Sequence, residues 1–235
     1  THAIMRDWNF EWSREDNLHH IQKNNTIGAQ SSNWLRDLRS VIHRRYDPNT
    51  KDRALALIAK TEISMEVWKP IQLWHMTRDE FLVRDFFVHW LFKEYEEGAY
   101  RIRIEDLFDY LRELHSKGLV EKKWTDRTTK EVAGALLRMA VEFGLMSGKA
   151  VKEFNSYHLP EESFIYLLHA MYEAHGNARD VVQSHDWRLF LMSTADVERE
   201  LFRLHQFRKL RYEVAGSLVE LTLPCSSAAA FVEEM

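Results

Sequence analysis

Eight glycines and four prolines in 235 residues leave this chain few places to turn sharply. Apolar side chains recur at spacings of three and four through most of the length, so the pattern predicts a mainly α protein with few, short strands. At 45% hydrophobic residues the chain can bury the core of one large domain or of two to three small ones.

The first helix with a clear start follows the cap Ser31-Ser32-Asn33 in SSNWLRDLRSVIHRR, where Trp34, Leu38, Val41 and Ile42 are expected to form the apolar stripe and Pro48 follows the end. Helices over 50–61 and 64–75 come next, and Thr77 is expected to cap a long one, TRDEFLVRDFFVHWLFKEYEEG, that Gly98 stops. Its aromatic run FLVRDFFVHWLF is short and interrupted by Arg84, Asp85 and His89, so it is read as a buried helix and not as a membrane span. Trp34, Trp68, Trp74 and Trp90 fall at core spacing, which favours packing over base stacking.

The pattern changes at Tyr100, where Tyr100, Ile102 and Ile104 alternate as in a strand before Leu107, Phe108 and Leu111 take up helical spacing. Then WTDRTTKEVAGALLRMAVEFGLMSGKAVKEF offers Thr125 or Thr128 as an N-cap, a helix with Val132, Leu136, Met139, Ala140 and Phe143 facing a core, and a candidate strand at 149–158. Strand, helix, loop, helix, strand is the order of a winged helix-turn-helix. Beyond it, Pro160 opens a helix to about Glu173, STADVERELFRLHQFRKL reads as a capped helix, and RYEVAGSLVELTL reads as a β-hairpin. The tail after Pro224 is expected to be loosely held. Three successive segments result: a helical bundle over 1–98, a winged-helix-like unit over 99–160, and C-terminal helices with a small β-hairpin and tail over 161–235.

With 32 Lys and Arg against 36 Asp and Glu, the net charge of −4 rules out a global polycation, so any nucleic-acid site must be local. Three basic clusters stand out. Lys122, Lys123, Arg127, Lys130 and Arg138 surround or lie on the helix of the central unit, with Lys149 and Lys152 on its proposed wing. Arg203, Arg208, Lys209 and Arg211, with His205, sit where a helix meets the hairpin, and Arg36, Arg39 and His43, with Arg44 and Arg45 close by, form a stripe near the start. Segregation of cations in a chain of negative total charge is what phosphate binding requires. Gly134 falls on the outward stripe with Arg127, Lys130, Glu131 and Arg138. A glycine inside a helix costs about 1 kcal/mol against alanine. It permits close approach either to a phosphate or to a neighbouring helix, and the charges fit a groove-reading face or a solvated one.

The sequence offers no catalytic constellation. HExxH is missing, His169 and His175 are six apart on different faces of a helix, and eight scattered glycines leave no phosphate-cradling loop or dinucleotide fingerprint. No metal or cofactor is expected. A single cysteine, Cys225, fits a reducing cytoplasm.

SSNWLRDLRSVIHRRY, RDFFVHWLFKEYEEGAYRIRIEDLFDYL, TKEVAGALLRMAVEFGLM and LFRLHQFRKLRYEVAGSLVELTL, in that order and spacing, resemble the BrxA family of bacteriophage exclusion (BREX) defence systems over roughly residues 26–223. The resemblance implies a mostly helical, cytoplasmic, non-catalytic DNA-binding component that works beside other BREX subunits such as a methyltransferase. It supplies no residue-level motif, so the site residues rest on the charge pattern. The competing reading is a protein-interaction scaffold that docks larger defence subunits without binding DNA.

Overall fold

The computed structural model describes residues 1–216 and 218–235, which are mainly helical with two small antiparallel sheets. They group into two compact units, neither continuous in sequence: Thr1–Phe81 with Leu159–Ser184 and Thr194–Met235, and Leu82–His158 with His185–Ser193. Lys and Arg equal Asp and Glu in number in the second unit, so the whole net charge of −4 falls on the first.

In the first unit the helix Glu161–His175 is buried continuously from Ser163 to Met171, as befits a helix apolar all round. It packs against the helix Met65–Thr77, and the Ser163 hydroxyl donates to the Val67 carbonyl at 2.9 Å. Between them lies a polar knot. His75, 3% exposed, donates from Nδ1 to Asp52 at 2.7 Å and accepts at Nε2 from the Tyr166 hydroxyl at 2.9 Å. A buried polar group is tolerated when each of its atoms is paired in this way. The predicted hairpin is present as Arg211–Ala215 paired with Leu218–Thr222, with Tyr212 opposite Leu221 on the buried side.

Three expectations for this unit fail. Trp34 is 52% exposed, because Leu35, one position on, turns inward with Ile42 two turns later. Thr77 closes the preceding helix instead of opening the next, its hydroxyl donating to the Trp74 carbonyl at 2.9 Å. The tail is not loose: it ends in the helix Ala228–Glu234, which packs on Arg53–Ile58 and on Glu161–His175. Ser227 caps it, Ala228 and Val232 are 1% and 4% exposed, and the Ala228 N–H donates to Glu173 at 2.6 Å.

The second unit starts with a helix that runs from Phe81 to Glu96 through a π-helical turn at Phe86–Leu91, where the Phe92 N–H reaches the Phe87 carbonyl. Gly98, at φ +82°, reverses the chain into β1 (Arg101–Ile102). A 3-10 turn, Ile104–Leu107, leads into the helix Phe108–Ser116, and the helix Asp126–Glu142 follows. β2 (Met146–Ser147) and β3 (Lys152–Phe154) close a three-stranded antiparallel sheet in the order β1-β3-β2, with Ile102 opposite Lys152 and Met146 opposite Phe154. The strands are shorter than the alternation suggested: Ile102 is buried, Tyr100 is 63% exposed, and Ile104 already belongs to the 3-10 turn.

Candidate nucleic-acid interface

The helix Asp126–Glu142 begins where the Thr125 hydroxyl accepts the Thr128 N–H at 3.2 Å, one of the two caps foreseen. Thr129, Ala133, Gly134, Leu136, Leu137 and Ala140 are buried, whereas Val132, Met139 and Phe143 are only half covered. The inner face is therefore wider than the apolar stripe. Gly134 belongs to it, which corrects its placement on the outward face: a Cβ there would meet the Ile104 side chain at 3.7 Å and the Arg138 guanidinium at 3.4 Å. The neighbouring 3-10 turn thus lies at ordinary van der Waals distance from that position, and its packing does not require a glycine.

Lys130 and Arg138 remain exposed on the outer face, and Lys122 and Lys123 are exposed in the loop before the helix. Among the described residues none of these four has a carboxylate within ion-pair distance. Arg127 is exposed too, but its Nε bonds Glu131 at 2.9 Å. Beside the loop, a cleft of about 740 Å³ includes Arg112, His115, Lys123 and Trp124 in its lining. Arg112 is committed within it, to Asp109 at 3.2 Å and Asp126 at 3.6 Å.

The turn between β2 and β3 separates the two wing lysines. Lys149 is exposed. Lys152 is buried, 9% exposed, and its ammonium donates to the Gly148 carbonyl at 2.9 Å and to that of Lys149. It ties the turn together and is not placed to meet a phosphate, which corrects its assignment to the wing surface. Gly148 is required there, at φ +102° with a Cβ position only 2.2 Å from the Val151 carbonyl oxygen.

The other two basic clusters are largely neutralised from within. Arg203 bonds Glu200 at 2.6 Å and Glu161 at 2.7 Å, and Lys209 adds to Glu161 at 3.3 Å. The hydrogen bond from Arg203, with help from Lys209, holds the Glu161 carboxyl below the usual range. Arg211 bonds Glu213 at 2.9 Å, and its hydrogen bond does the same for that carboxyl. Arg208 is exposed at φ +57°. Near the start, Arg39 pairs with Glu15 at 2.7 Å, Arg44 with Asp79 at 2.9 Å and Arg45 with Glu80 at 2.6 Å. The pairing near the start is invisible in sequence, because its partners are 24 to 35 residues away, whereas Arg203–Glu200 and Arg211–Glu213 are local pairs.

No helix of the described residues is long and apolar enough to cross a membrane. Comparison with known proteins finds no significant match among curated proteins or solved structures. A family model described as BrxA matches residues 1–170, about three-quarters of the chain, and covers the whole second-unit segment 82–158. The chain belongs to the BrxA family, whose members are components of BREX phage defence.

Proposed function

We propose that this protein binds double-stranded DNA, mainly through the phosphate backbone, with residues 99–160 acting as a winged helix-turn-helix. The carrying observation is a contrast in charge pairing. Lys122, Lys123, Lys130, Arg138 and Lys149 stand exposed without carboxylate partners among the described residues, whereas most of the cations in the other two clusters are bonded to carboxylates. An unpaired cation loses less on meeting a phosphate, because no ion pair has to be broken first. The order of elements and the β1-β3-β2 sheet support the same reading: in a winged helix the second helix of the pair enters the major groove and the strand pair flanks it.

Glu131 lies among these cations, and the exposed groups are long, flexible cations suited to phosphates, so backbone contact dominates over base discrimination. In the BREX setting the protein acts without catalysis, as a DNA-binding part that other BREX subunits, such as a methyltransferase, would meet. A mobility-shift titration with duplex DNA at two salt concentrations, with and without Mg²⁺, tests it. Affinity that falls steeply with salt, on DNA that stays intact, supports the reading. A salt-independent response, or metal-dependent cleavage that follows the protein through purification, opposes it.

A further inference from the structure

The π-helical turn in the second unit has a consequence for the charges around it. In an α-helix residues five apart lie on different faces, but a turn closed by i→i+5 bonds carries one extra residue and brings them round together. Here it aligns Arg84, His89 and Phe92 against the 3-10 segment His185–Phe190. Arg84 bonds Asp186, the His89 and His185 rings stand perpendicular with centroids 6.3 Å apart, and the Arg188 guanidinium lies 5.1 Å from the centre of the Phe92 ring.

These three contacts bring two imidazole and two guanidinium groups close together. Both imidazoles are exposed, both arginines are half-buried, and Asp186, the carboxylate among them, is buried and bonded to Arg84. His185 registers the local field: burial lowers its pKa, and Arg188, His89 and Arg84 lower it further against the opposing pull of Asp186. A metal cation is a poor occupant. The two arginines repel it, and among the described residues no third ligating side chain completes a site with the histidines. An oxyanion is attracted where the metal is repelled, because it accepts charge-assisted hydrogen bonds from guanidinium and from a protonated imidazole.

We propose that the cluster of His89, His185 and Arg188, with Arg84 held beside it by Asp186, is a binding site for a tetrahedral oxyanion of the phosphate class. It uses none of the cations assigned above to DNA, so it stands or falls separately from that reading. Binding takes up a proton at His185, because the anion removes the electrostatic obstacle to its charged form. Affinity therefore rises as pH falls, by up to about tenfold per pH unit for one proton taken up.

The test is an NMR titration of the histidine ring nitrogens with sulfate, which does not titrate in this range, against matched sodium chloride. A parallel arm uses the dinucleotide TpT, whose single phosphodiester also keeps a fixed charge. The expected result is a saturable shift of the His89 and His185 resonances with sulfate, an upward move in the His185 titration midpoint, and tighter binding at about pH 6 than at about pH 7.5. Shifts with TpT as well assign the site to nucleic-acid phosphate, and shifts with sulfate alone assign it to a free oxyanion. His185→Gln, at an exposed position, and Arg188→Gln, at a half-buried one, should each weaken binding by roughly tenfold while circular dichroism stays unchanged. No saturable shift with either anion, or full binding retained in both variants, overturns the proposal.

Discussion

Gly134 faces Ile104: a methyl group added to the glycine would lie 3.7 Å from the Ile104 Cδ1, at ordinary van der Waals distance. The contact joins the helix Asp126–Glu142 to the 3-10 turn Ile104–Leu107. It predicts how large a side chain the position admits. Gly134→Ala should raise stability by about 0.5–1 kcal/mol, since the methyl fits and the helix gains propensity. Gly134→Leu should lower it by about 1–3 kcal/mol through overpacking against Ile104 and Arg138. Urea unfolding of the two variants checks the change of sign.

Lys149 and Lys152 differ by three positions and should behave oppositely. Removing the buried ammonium in Lys152→Ala leaves two turn carbonyls without their donor, and stability should fall by about 1–2 kcal/mol. Its effect on DNA affinity should stay within about threefold. Lys149→Ala should leave the melting temperature unchanged and reduce the salt slope of DNA binding by about one unit. Thermal melts and binding isotherms on both variants separate the two roles.

The Asp52–His75–Tyr166 knot sets a pH dependence. Burial pushes the His75 pKa down despite the Asp52 carboxylate, and burial takes His169 down to about 4. For Asp52 burial acts upward, but hydrogen bonds from His75 and the Asp47 N–H outweigh it and hold the carboxyl low. A histidine whose folded pKa is depressed takes up a proton more readily when unfolded, so lowering the pH favours the unfolded state. The loss should begin below about pH 6.5, the ordinary histidine value, and deepen through the carboxylate range near pH 4. His75→Gln should cost about 1–3 kcal/mol at neutral pH and flatten the decline between about pH 6.5 and 5. Melting temperatures across that range decide it, and an unchanged slope in the variant would place the acid sensitivity elsewhere.

What could be read in advance divides along a physical line. Caps and stops are local chemistry, so Ser31, Thr125, Pro160 and the Gly98 turn all mark real boundaries. The hairpin Arg211–Thr222 was legible for the same reason. Burial depends on partners. Trp34 has the side chain of a core residue but lies off the Leu35–Ile42 line, and Gly134 has no side chain with which to declare a face. The terminal helix carries a local signal that competes with another: Ser227 before three alanines is a cap followed by the strongest helix formers, although Pro224 suggests a stop. The Asp52–His75–Tyr166 knot spans elements far apart in the chain and has no sequence signature. Of the candidate DNA residues, their cationic character was plain, but not which of them would be spent on carboxylates or, as with Lys152, on the backbone.

Duplex binding by the double variant Lys130→Glu with Arg138→Glu, measured by fluorescence anisotropy beside wild type at two salt concentrations, tests the central claim most directly. Five unpaired cations predict a wild-type slope of log K against log salt of about −4 to −5, which is a loss of roughly two to three decades between about 50 and 200 mM. Each glutamate replaces an attractive phosphate contact by a repulsive one at an exposed position. The variant should therefore lose at least about tenfold in affinity while its melting temperature barely moves. A double variant that folds normally and binds duplex DNA as wild type does would contradict the account, and would leave Arg208 and its neighbours as the next cations to examine.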